Sequence, residues 1–97
     1  MSNPVRVTAI VEAFSAKGGH EQYESGVGMT RAATTLRIED PDVLRGRRLV
    51  LSHTRPPAED SAWRKPQARL RFLIDRELLD SNDTLFVGAV WDVTSID

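Results

Sequence analysis

The chain contains no cysteine. That excludes a disulfide framework, a zinc–thiolate site and a thiol nucleophile, and it fits a reducing compartment. No stretch approaches the roughly 20 apolar residues that a membrane helix needs. The partly apolar run from Val5 to Phe14 is interrupted by Arg6 and Glu12. No small-residue cleavage site follows it, so no signal peptide is expected and a cytoplasmic location is the default. A charge excess of one sign is also lacking. The formal net charge is −1, and affinity for nucleic acid comes largely from neutralising phosphates. Neither a Gly-x-Ser-x-Gly elbow nor a glycine-rich phosphate loop is present.

What remains is an ordinary globular composition, 40% hydrophobic and 28% charged over 97 residues. A chain of this size makes one domain with a small core. Residues 1–97 are therefore expected to form a single β domain. The charges are unevenly spread. Residues 31–76 hold eleven Lys/Arg against six Asp/Glu, whereas residues 77–97 hold five Asp/Glu and no base. Such asymmetry can produce a basic and an acidic face, unless the charges mingle in space.

Hydrophobic alternation at period two recurs along the chain and predicts strands. In Pro4–Ala16 the inward set is Val5, Val7, Ala9, Val11 and Ala13, with Ile10 and Phe14 interrupting the polar side. Residues 17–28, glycine-bearing and polar, predict a long mobile hairpin connection. Met29–Glu39 predicts a second strand with Ala32, Thr34, Leu36 and Ile38 inward. Arg47–His53 follows with Leu49, Leu51 and His53 on one face, then Ala68–Asp75 with Leu70, Phe72 and Ile74 inward. Thr84–Thr94 is apolar on both faces, which predicts a central strand, and residues 95–97 read as a tail. Thr54–Gln67 holds Pro56, Pro57 and Pro66 and predicts a stiffened loop with one helical turn within Ala58–Trp63.

Two stretches share a pattern. Ile38-Glu39-Asp40-Pro41-Asp42-Val43-Leu44 and Ile74-Asp75-Arg76-Glu77-Leu78-Leu79 each read as strand end, Asp cap and one helical turn. In the first, Asp40 is expected to cap, Pro41 to take the first helical position, and Val43 and Leu44 to plug the core. Gly46 is expected to supply a left-handed exit. Corners of this kind let a chain pass between sheets. The expected fold is therefore all-β, a small antiparallel Greek-key sandwich with short helical corners. The alternative is a five-stranded OB-like barrel.

Candidate sites are few. His20-Glu21-Gln22-Tyr23-Glu24 lacks the second histidine of a zinc-protease helix. The Glu39/Asp40/Asp42 and Asp80/Asn82/Asp83 groups read as caps and turns rather than calcium loops. His53, in phase with two leucines, reads as a partly buried histidine, not a general base. The strongest lead is Arg55, Trp63, Arg64 and Lys65, an aromatic among cations on a stiff loop, joined by the strand residues Arg48, Arg69 and Arg71. Trp and Arg favour binding hot spots, and aromatic-plus-basic clusters suit single-stranded nucleic acid. A Trp63 that merely covers the core end is the plainer alternative. The expectation is a non-catalytic binding module for a protein partner or a second copy of the chain, with no cofactor, metal or membrane. An OB-like module for single-stranded nucleic acid is the alternative, disfavoured by net charge, and a small enzyme ranks last.

Overall fold

Strand β1 runs Pro4–Lys17 and β2 runs Arg31–Asp40. They are followed by β3 (Arg48–His53), β4 (Arg69–Asp75), a two-residue β5 (Leu85–Phe86) and β6 (Val90–Ile96). The structure is a computed structural model that describes residues 3–17, 31–80 and 84–96. The connection expected at residues 17–28, the His20–Glu24 segment and Asn82/Asp83 fall largely or wholly outside the described residues.

All six strands join one sheet in the order β5-β3-β2-β1-β4-β6. Every pair is antiparallel except β3 with β5, which is parallel. The two edge strands are joined by one 3-10 turn, Val87–Ala89. From Phe86 to Val90 is four Cα steps, at most roughly 15 Å. The two edges must therefore approach each other, and the sheet curls into a half-barrel. The all-β expectation holds. The described strands pair as one curled sheet, which supports the all-β class without deciding between the sandwich and the barrel.

The core lines the concave side. Val7, Ala9, Val11, Leu36, Ile38, Leu51, Leu70, Phe72 and Ile74 are essentially inaccessible, the alternation expected for β1 to β4. Ala13 departs from it. Val11 pairs with Leu36 and Ala13 with Thr35, so Glu12 is an extra, bulged residue. The bulge flips the phase: Ala13 is exposed and Phe14 turns to pack against His53.

The last strand was expected to be single and central. It is broken at Val87–Ala89, its halves occupy opposite edges, and β6 extends into the expected tail as far as Ile96. Its apolar outer residues do not lie beneath a second layer: Phe86 is 65% exposed and Trp91 40%.

The corners form with different details. The first is a 3-10 turn, Asp42–Leu44, in which Pro41 occupies the cap position without a side-chain hydrogen bond, while Asp40 still belongs to β2. Asp42 pairs with Arg45 at 2.8 Å instead. Leu44 plugs the core, but Val43 is 73% exposed, because a three-residue turn presents only one side chain inward. Gly46 leaves at φ +87, the left-handed exit expected of it. The second corner is α1, Arg76–Leu79, whose Leu79 is buried. Arg47 ties the two corners together by donating to the Leu79 carbonyl. Among the described residues no helix is long and apolar enough to cross a membrane.

Candidate functional site

Register places the strand arginines on one convex surface. Arg48 stands opposite Arg37, Arg37 opposite Ile10, and Ile10 opposite Arg69. Residues directly opposite in an antiparallel pair share a face, so these four form a row across β3, β2, β1 and β4. Arg71 follows on the same face, opposite Thr8. All four arginines are exposed.

Like charges directly opposite destabilise a sheet pair. The bulged Glu12 offsets this: its carboxylate lies 3.2 Å from Arg48 Nε and 3.8 Å from Arg37 Nη1. Glu39 holds Arg69 Nε at 3.1 Å. The face thus carries four arginines against two glutamates. Bulges re-aim side chains, and this one sets a carboxylate between two guanidinium groups. Alternation in the sequence identifies the arginines, but nothing in it marks Glu12 as their shared partner.

Aromatic surface flanks the row. Ser52 of β3 pairs with Phe86 of β5, and Leu51 with Leu85. Leu51 is fully buried, so Ser52 and Phe86 face outward beside Val50, itself 36% exposed. On the other side Trp91 stands opposite Leu73. Arg6 bonds Asp92 nearby at 2.9 Å. Phe86 was not among the residues singled out from sequence, because the broken strand disguises its edge position.

The loop lead resolves into a cap. Trp63, in the 3-10 turn Ala62–Arg64, is half-buried and packs against the core. Its ring meets His53 edge-on at 5.7 Å. Thr34 and His53 are buried, with Thr34 Oγ1 and His53 Nε2 2.7 Å apart. Thr34 Oγ1 also donates to the Trp63 carbonyl at 3.1 Å. A hydroxyl has one proton, so His53 must donate from Nε2 to Thr34, which relays to Trp63. Burial first, then the Arg64 charge, lowers the His53 pKa below its ordinary value. Arg64 is half-buried, donates to the Pro57 carbonyl at 2.8 Å and lies over the Phe14 ring at 4.8 Å. Arg55 and Lys65 are exposed. Of the residues proposed from sequence, Arg48, Arg69 and Arg71 share the convex face. Trp63 and Arg64 anchor the loop, and Arg55 and Lys65 lie on the loop surface.

Comparison with protein families, curated proteins and solved structures finds no match to this chain.

Proposed function

We propose that the chain is a non-catalytic binding module built on an OB-like five-stranded barrel, and that its convex β2–β3–β5 surface contacts single-stranded nucleic acid. The barrel reading rests on connectivity. β5 and β6 together act as one final strand, pairing parallel with β3 and antiparallel with β4, while β1 pairs with both β2 and β4. A closed small barrel needs such a final strand as its seam.

The observation that carries the ligand class is the cross-strand pair Arg37–Arg48 on the face that also bears exposed Phe86. Cations that follow a backbone, beside an aromatic surface on which a base can stack, are what sequence-tolerant single-strand binding uses. The net charge of −1 disfavours this class, but four arginines gather on one face, and among the described residues Asp92 of the acidic 77–97 segment pairs with Arg6 rather than with that row. Surface ion pairs contribute only about 0–1 kcal/mol each, so phosphate can displace Glu12 and Glu39 from their arginines.

The test is fluorescence anisotropy with a labelled oligothymidylate of about 20 nucleotides, starting at about 50 mM salt. Four phosphate contacts give a log–log salt slope of about −3, since each contributes about 0.7 on a single strand. Replacing Arg37 and Arg48 together by Ala halves that slope. Absence of binding at the lowest salt, or a slope unchanged in the double variant, rejects the reading. A protein partner or second copy is the other reading, favoured by the exposure of Trp91 and Val93 on β6. Sedimentation velocity would then show association that Trp91→Glu abolishes.

A further inference from the structure

The end of the loop between β3 and β4 borders an open groove of about 740 Å³ against β1, β4 and β6. That volume falls within the roughly 300–1,000 Å³ of small-molecule sites. Its floor includes Ile10 and Ile96, both half-buried, and its rim carries Lys65, Gln67 and Arg69, with Asp60 opposite in charge. Ile10, Arg69 and Ile96 are successive neighbours across three strands. The Arg69 guanidinium therefore rises between two apolar side chains. Glu39 engages it through Nε; a guanidinium has five N–H donors, and among the described residues no other acceptor engages them.

The turn that forms the rim breaks a local rule. Ala68 N–H donates to the Lys65 carbonyl at 3.1 Å, which closes a four-residue turn with Pro66 second and Gln67 third. Gln67 has φ +71. A type II turn requires positive φ at its third residue, where glycine is least strained. Here a long amide side chain occupies that position and borders the groove. The turn is fixed to β1 by Gln67 N–H donating to the Val11 carbonyl at 2.7 Å and Val11 N–H donating to the Ala68 carbonyl at 2.8 Å. Backbone strain retained by such anchoring concentrates at ligand sites.

We propose that this groove binds a small organic anion with an apolar body. Arg69 and Lys65 hold the anionic head, the Gln67 amide hydrogen-bonds beside them, and Ile10 and Ile96 take the body. The site shares Arg69 with the arginine row but requires neither Arg37 nor Arg48, so a protein in which both are replaced by Ala should keep this binding whatever becomes of the oligonucleotide reading.

Isothermal titration of the full chain with 2-naphthoate and its uncharged analogue 2-naphthamide tests it. The expected result is saturable one-site binding of the carboxylate, with the amide about tenfold weaker, as for loss of a charge-assisted pair. Arg69→Gln should bring the carboxylate down to the level of the amide. Gln67→Gly should weaken binding while leaving the thermal midpoint equal or higher, because glycine relieves the positive φ. No saturable binding overturns the proposal, as does equal affinity for the two probes. Binding that neither variant alters places the ligand elsewhere and also overturns it.

Discussion

Glu12→Gln separates a surface that binds polyanions from one that is merely solvated. Glu12 faces two arginines at 3.2 and 3.8 Å. The substitution keeps side-chain size and removes one negative charge. A phosphate held by either arginine lies about 7 Å from that carboxylate, one guanidinium away, and the repulsion there is about 0.6 kcal/mol in water. Partial exclusion of solvent raises this figure, and a Debye length of about 10 Å at 0.1 M salt lowers it. Release of two arginines from a competing anion acts in the same direction. Together these give oligothymidylate binding about two- to fivefold tighter, or roughly 0.4–1 kcal/mol. Loss of two exposed pairs changes folding stability by no more than about 1 kcal/mol, either way. Anisotropy titrations of both proteins at matched low salt, with urea melts in parallel, measure the two quantities. Unchanged or weaker binding by Glu12→Gln, at unchanged stability, would refute the assignment of this face.

Thr34→Val keeps the shape of a fully buried side chain but breaks the relay from His53 to the Trp63 carbonyl. Two buried groups lose their partner, so urea midpoints should report a loss of about 2–3 kcal/mol, against about 1 kcal/mol or less for Thr34→Ser; equal losses would contradict the relay. His53 is depressed below its ordinary 6.5, so the unfolded chain takes up a proton first as pH falls. Stability from this group is complete above about pH 6.5 and declines below it, at most about 1.4 kcal/mol per pH unit, until the folded-state pKa is passed. Subtracting the stability profile of His53→Gln isolates this slope, and a flat or inverted difference would disprove it. Phe86→Ala should weaken oligonucleotide binding by about 1–3 kcal/mol while costing little stability, since the ring is mostly exposed.

Strand alternation made most of the core legible in advance. Leu36, Leu51 and Phe72 face inward as their phase dictates, and His53 is buried with them. What escaped was whatever depends on two distant segments at once. The Glu12 bulge is invisible to period-two counting because one extra residue shifts phase without changing composition, and it misplaced Ala13 and Phe14. The apolar outer residues of Thr84–Thr94 read as buried on both faces. They lie along an edge whose covering is geometric closure, which a linear pattern does not encode. The seat of Trp63 against the Thr34–His53 pair draws on two other strands, which no local pattern encodes. Arg48, Arg69 and Arg71 were legible as separate strand positions; their alignment with Arg37 into a row required the register.

Amide chemical-shift mapping of nitrogen-15-labelled protein during oligothymidylate titration addresses the binding surface most directly. The account predicts perturbations concentrated at Thr35, Arg37, Arg48, Val50 and Phe86, fading as salt is raised. Perturbations confined to Trp91 and Val93, or to the Ala62–Arg64 turn, would contradict it.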